Sequence, residues 1–156
     1  MILATVGTQL PFPRLLAALD RIAAEHGLQV VAQTCGDLAG AKALEQHPFL
    51  TPDRLAASIG EARVIVGHAG IGTIFAGMRA QKPLVLYPRR AALGEHRNDH
   101  QMATAAAMAQ RAGIHVAWDD AELERLLLAR DLEPARPEAS PTRPALIDAV
   151  AAFVQD

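Results

Sequence analysis

Apolar positions along this chain follow two rhythms in alternation. Short apolar runs at 2–6, 28–34, 64–66, 83–87 and 114–117 read as strands. Between them, apolar residues recur three and four apart, the spacing of one helix face, as in Leu15, Leu16, Leu19, Ile22 and Ala23. Pro13 sits at a favourable first helical position, and Gly27 supplies the stop. Thr51-Pro52-Asp53 is an N-cap signature for a helix to about residue 61. Further helices are expected over 73–81, 98–111 and, capped by Asp119, to about 130. Residues 35–50 read as a loop with a short strand near 44–49. Val64-Ile65-Val66 has no polar member, as in a parallel strand covered on both faces. The βαβ rhythm therefore predicts an α/β fold: a Rossmann-like, doubly wound, mostly parallel sheet. In such sheets ligands bind outside the carboxyl ends of the strands.

The pattern also divides the chain. Residues 1–130 form the expected Rossmann-like domain. Residues 131–144 hold four prolines and read as a linker. Residues 145–156 read as a short amphipathic helix with Leu146, Ile147, Val150 and Val154 on one stripe. That helix has no basic face for anionic lipid, so it is expected to dock on the domain, on a partner subunit, or on a second copy as a homodimer.

Composition narrows the function classes. Fifteen Lys and Arg against 17 Asp and Glu give a net charge of −2, which argues against a bulk electrostatic grip on nucleic acid. Hydrophobic residues reach 51% but aromatics only 4%, a composition suited to close helix packing. No apolar run approaches the ~18 residues of a membrane span, and the N-terminus lacks the basic region of a signal peptide. The single cysteine, Cys35, excludes an internal disulfide and leaves a reducing, cytoplasmic compartment as the expectation.

Three loops after strands carry candidate chemistry. Gly7-Thr8-Gln9 follows the first strand, where a Gly-Thr pair either makes an ordinary turn or turns N–H groups and a hydroxyl toward a ligand. His68-Ala69-Gly70-Ile71-Gly72-Thr73 joins a buried strand to a helix N-terminus, where unpaired N–H groups and the dipole favour phosphate. No Lys follows the second glycine, so it is not a Walker loop, and no glycine stands three residues after Gly72, so it is not a dinucleotide fingerprint. The other reading is a tight turn with a core-facing His68. The third loop, 94–101, is GEHRNDHQ. A helix start needs one cap and one acid, so the excess of polar groups marks this loop as a candidate sugar and ribose contact. His96 and His100 alone, without a clear third ligand, do not make a metal site. Arg89 and Arg90 either solvate a turn or meet an anion bidentately. Cys35, Trp118 and the Met102/Met108 face read as ordinary packing.

Four of these segments together, TVGTQ-PF at 5–12, HAGIGT at 68–73, KPL-L-YPRR at 82–90 and GEHRNDHQ at 94–101, resemble one glycosyltransferase group. It is the family in which the C-terminal, donor-binding half of MurG-like GT-B enzymes stands as a separate polypeptide. One branch is the eukaryotic subunit that adds the second GlcNAc to a dolichol-linked oligosaccharide. The other is the bacterial PssE-like subunit of exopolysaccharide glucuronosyltransferases, to which the PRR and GEHRNDHQ runs are more similar. The resemblance implies a UDP-sugar-binding, catalytic half of a two-component inverting glycosyltransferase, recruited to the inner face of the membrane by an anchored, acceptor-binding subunit. The acceptor would be a polyprenyl-linked sugar. By the same resemblance, Gly7, Thr8 and Gln9 lie near the diphosphate, and Phe49 and Leu50 bracket the uracil. His68, Gly70, Gly72 and Thr73 form the second phosphate loop, and Glu95, His96, Asn98, Asp99 and Gln101 face ribose and donor sugar.

Many relatives carry a Glu where this chain has Ala76, so Glu95 is expected to take over the ribose hydroxyls. With no DxD-type motif, no metal or other cofactor is expected. His68 and Thr73 would compensate the leaving diphosphate, and the base would come from the partner, with His96 as the local fallback. UDP-glucuronate is the expected donor, its carboxylate meeting Arg89 and Arg90. The competing classes are a non-catalytic nucleotide-sugar-binding module, a GlcNAc transferase subunit, and an epimerase; the last needs a second lobe that 156 residues do not encode.

Overall fold

The computed structural model describes residues 1–36 and 40–137. Six strands form one sheet: β1 (Ile2–Thr5), β2 (Val30–Gln33), β3 (Leu44–His47), β4 (Val64–Gly67), β5 (Leu84–Leu86) and β6 (Ile114–Val116). All five pairings are parallel, and the order is β3-β2-β1-β4-β5-β6. Five helices connect them: α1 (Pro13–His26), α2 (Pro52–Glu61), α3 (Ile71–Ala80), α4 (His100–Met108) and α5 (Asp120–Leu128). This is the doubly wound, Rossmann-like α/β architecture that the pattern predicts.

The strand alternation builds two cores. Ile2, Ala4, Val64, Val66 and Val85 face α1 and α5, while Leu3, Ile65, Leu84 and Leu86 face α2, α3 and α4. Each fully buried Leu or Ile contributes roughly 1.5–3 kcal/mol over its exposed state. The helix ends follow local chemistry. Pro13 opens α1 and Gly27 closes it at φ +63°. Thr51 caps α2 by accepting from the Arg54 N–H, and Asp119 caps α5 by accepting from the Glu122 N–H. At α3 the N-cap is Gly70, which has no side chain to offer.

Three helix boundaries differ from expectation, one being the end of α4 at Met108 rather than 111. α3 begins at Ile71 rather than 73, so the glycine loop itself enters the helix. α4 begins at His100 rather than 98, because Asn98 Oδ1 accepts from the His100 N–H and makes a local turn. The expected linker is packed where it is described. Residues 131–137 have no regular structure, yet Ala135 is fully buried and donates its N–H to the Lys82 carbonyl. Gly113, at φ +76°, lies directly under it: a Cβ there would stand 2.1 Å from the Ala135 nitrogen. The rest of the linker and the expected helix over 145–156 lie outside the described residues. Among the described residues no helix is long and apolar enough to cross a membrane.

Candidate functional site

β1 and β4 are neighbours, but their following helices leave to opposite faces of the sheet. The strand ends therefore part above the sheet, at the topological switch point. A cavity of about 560 Å³ opens there. Its walls are the loop after β1 (Gly7, Thr8, Gln9, Leu10), the loop after β4 (His68, Gly70) and the first turn of α3 (Ile71, Gly72, Thr73). Arg89, His96 and Gln101 close one side, and Leu50, Leu55 and Ile59 give the other an apolar lining.

The first turn of α3 enters this cavity with no side-chain cap. Its N–H groups and the positive end of the helix dipole are thus offered to whatever occupies the space. The His68 imidazole is wedged between the two glycine loops. A Cβ on Gly70 would stand 2.1 Å from its Nε2, and one on Gly7 would stand 2.9 Å from its Cε1. Both glycines are therefore needed to admit the ring, and Gly7 also holds φ +85°. Burial, and after it the charge of Arg89, push the His68 pKa down to about 4 against a weaker pull from the Thr5 backbone. His68 is neutral across the physiological range, and its Nδ1 has no hydrogen-bond partner among the described residues.

Residues 1–150 match the sequence model of the glycosyltransferase family 28 C-terminal domain. The chain belongs to that family. Solved structures share its fold. The NMR structure of ALG13 has a TM-score of 0.62 at 14% identity, with 99% of this chain and 96% of that chain covered. MurG from Acinetobacter baumannii has a TM-score of 0.62 at 20% identity, and this chain spans 49% of its length. The kitacinnamycin glycosyltransferase has a TM-score of 0.59 at 18% identity, with 38% of its length covered. None of the curated proteins matches.

In this family 28 domain the expected site residues divide. Gly7, Thr8, Gln9, Leu50, His68, Gly70, Gly72, Thr73, Arg89, His96 and Gln101 all line the cavity, as does Ala76. Phe49 stands outside it, 62% exposed. Glu95, Asn98, Asp99 and Arg90 are also outside, each held elsewhere. Both Glu95 oxygens bind Arg14, at 2.6 and 2.8 Å, and one also accepts from the Arg90 N–H at 2.9 Å. Burial pushes the Glu95 carboxyl up, but Arg14 and the Arg90 amide together hold it below the usual carboxylate range. Asn98 Oδ1 bonds the His96 ring at 3.1 Å, and Asp99 Oδ1 accepts from the Ala91 N–H at 2.9 Å. The Glu95 carboxylate, expected to stand in for the glutamate missing at Ala76, is paired with Arg14 and lies outside the cavity lining.

Both arginines are engaged by backbone carbonyls. Arg90 donates to the Trp118 carbonyl, away from the cavity. Arg89 does reach the cavity wall, but it is only 3% exposed and donates to the carbonyls of Val6, Leu10 and Pro11. Neither guanidinium is placed to grip a sugar carboxylate.

Sequence reasoning missed Arg14 and Gln33. Gln33 ends the buried strand β2, and a polar residue at that end was the available signal. Its amide donates to the Gly7 carbonyl at 3.1 Å and accepts from the Leu50 N–H at 3.3 Å, joining two walls of the cavity. Among the described residues, the groups able to hold a metal gather at Glu25, His26 and Glu124. That cluster joins α1 to α5, outside the cavity lining, and Arg21 pairs with both carboxylates.

Proposed function

We propose that this family 28 domain is the donor-binding, catalytic subunit of a two-component inverting glycosyltransferase that uses a UDP-sugar. One observation carries the reading. The uncapped first turn of α3, the loop after β1 and the neutral His68 converge on a single cavity at the switch point of the sheet. Such a place suits a diphosphate, and the apolar side lined by Leu50 and Leu55 suits a base.

The chemistry follows from where charge develops. As the bond between the anomeric carbon and the diphosphate oxygen breaks, the electron pair moves onto the diphosphate. The α3 dipole and its N–H groups stabilise that charge without reorganising, and the Thr73 hydroxyl and neutral His68 add hydrogen bonds, not charge. Removing one such donor typically costs about 10²–10³ in rate. This scheme calls for no resident metal. An inverting transfer also needs a base at the acceptor hydroxyl. We assign it to the second subunit, membrane-anchored and holding a polyprenyl-linked sugar, with His96 at the cavity edge as the group this chain could offer. The match to the family 28 C-terminal domain, and the fold shared with ALG13 and with about half of MurG, support a donor-binding half of a glycosyltransferase. A cytoplasmic chain drawn to the membrane by that partner follows. A glucuronosyl donor and a role in exopolysaccharide synthesis rest on the resemblance to the PssE-like branch alone, since both arginines are held by carbonyls.

The test is reconstitution with a candidate membrane-anchored partner, offering UDP-glucuronate, UDP-glucose and UDP-GlcNAc to a polyprenyl-linked acceptor. Transfer that requires both chains supports the reading. UDP binding without transfer from any donor would instead favour a non-catalytic nucleotide-sugar module.

A further inference from the structure

Among the described residues, Arg89 is a buried cation without a carboxylate partner of its own. Glu95, the nearest acid in its field, is engaged by Arg14. The Arg89 guanidinium lies 4.4 Å from the centre of the Phe12 ring and donates to three carbonyls of one loop: Val6 at 3.0 Å, Leu10 at 2.7 Å and Pro11 at 2.7 Å. A fourth carbonyl of that loop, Gly7, is held by Gln33. Carbonyl oxygens facing the cavity would repel an anion. With four of its six carbonyls taken by side chains, and those of Thr8 and Gln9 left over, the loop's free donors are the amides of Thr8, Gln9 and Leu10, which make no hydrogen bond among the described residues. All three residues line the cavity. One neutral donor could hold one carbonyl, whereas three at once need the fork of a guanidinium.

We infer that Arg89 is a positioning residue for the diphosphate: by taking up the carbonyls of Val6, Leu10 and Pro11, it leaves the amides of Thr8, Gln9 and Leu10 as the groups this loop presents to an anion. The inference rests on the reading that a nucleotide diphosphate occupies the cavity. It gives Arg89 a role through the loop, in place of a contact with the sugar.

The experiment compares UDP with uridine, which lacks the diphosphate, on wild type, Arg89→Lys and Arg89→Gln. UDP binding is followed by calorimetry and uridine binding by NMR titration. UDP affinity is expected to fall at least tenfold in both variants, with uridine affinity within twofold of wild type; an equal fall in both affinities in variants that keep the wild-type fold would overturn the inference. Wild-type UDP affinity in Arg89→Lys would show that charge alone suffices, and would also overturn it. Where neither variant folds, amide exchange on the wild-type chain decides. UDP should protect the Thr8, Gln9 and Leu10 amides and uridine should not, and no protection at saturating UDP overturns the inference. A wild-type chain that binds no UDP at all removes the reading of the site itself, and the inference with it.

Discussion

The loop after β4 and the loop after β5 make opposite use of their residues. Residues 68–73 contain two glycines, an alanine and one imidazole, and they leave N–H groups open to the cavity. Residues 88–99 are rich in charge and hydrogen-bonding groups, yet most of those groups serve the loop itself. Glu95 binds Arg14 and the Arg90 amide, Asp99 holds Ala91, and Asn98 holds His96 and His100. Only Arg89, His96 and Gln101 from that neighbourhood reach the cavity, and Arg89 is spent on carbonyls of the β1 loop. A dense polar stretch therefore marks a loop that must satisfy its own irregular backbone as readily as one that meets a ligand. Small residues at a helix N-terminus are the better sign, because they leave donors free.

The sharpest way to break this contrast is at the glycines. Gly70→Val drives a side chain into the His68 ring, whose Nε2 stands 2.1 Å from the position of its Cβ. Gly72 faces open space, with nothing within 4 Å of such a Cβ. Gly70→Val should lose UDP affinity by about a hundredfold or more, roughly 2.7 kcal/mol, and melt earlier by the overpacking strain. Gly72→Val should keep the wild-type melting temperature and lose about tenfold in affinity, because its side chain occupies ligand space. Calorimetry and thermal melts read both. Equal melting temperatures for the two variants would contradict the wedge geometry.

Next in size is Glu95→Gln, which tests the other loop. Breaking a half-buried pair with Arg14 should cost about 1–2 kcal/mol, or a fall of about 3–6 °C in Tm, while UDP affinity stays within about threefold. The Glu95 pKa lies below its unfolded value, so its contribution is present above the ordinary carboxylate range and lost as pH falls through the lower, folded value. The gap between wild type and variant should accordingly narrow below about pH 4. Weakened UDP binding at an unchanged Tm would return Glu95 to the ligand.

These comparisons also show what was legible in the sequence. The apolar run at 64–66, Pro13, Gly27 and Thr51 act locally, so strands, helix starts and the sheet order's α/β class could be read from them. The glycine loops were legible for the same reason. The fate of Glu95 was not, because its partner Arg14 lies 81 positions away and only the fold brings them together. In the sequence Arg89 and Arg90 read alike, as a pair that either solvates a turn or meets an anion. In the fold one arginine enters the β1 loop and the other turns toward Trp118, a division that adjacency in sequence cannot express.

The smallest expected effect is an absence. The His68 pKa near 4 lies below its unfolded value of about 6.5. The neutral form is the one the fold holds, so its contribution to stability is present above pH 6.5 and lost as pH falls toward 4. NMR titration should show the His68 ring resonances flat from pH 8 to about 5. A His68 midpoint near 6.5 would mean that the ring is not wedged between the glycine loops.

The central claim is that the loops after β1 and β4, not the polar loop after β5, receive the diphosphate. Titrating the isotope-labelled chain with UDP and mapping backbone amide shifts tests it most directly. The account predicts the largest shifts at Thr8, Gln9 and 70–73, with Glu95, Asn98 and Asp99 nearly still. Shifts centred on 94–99, with the two glycine loops unmoved, would contradict it.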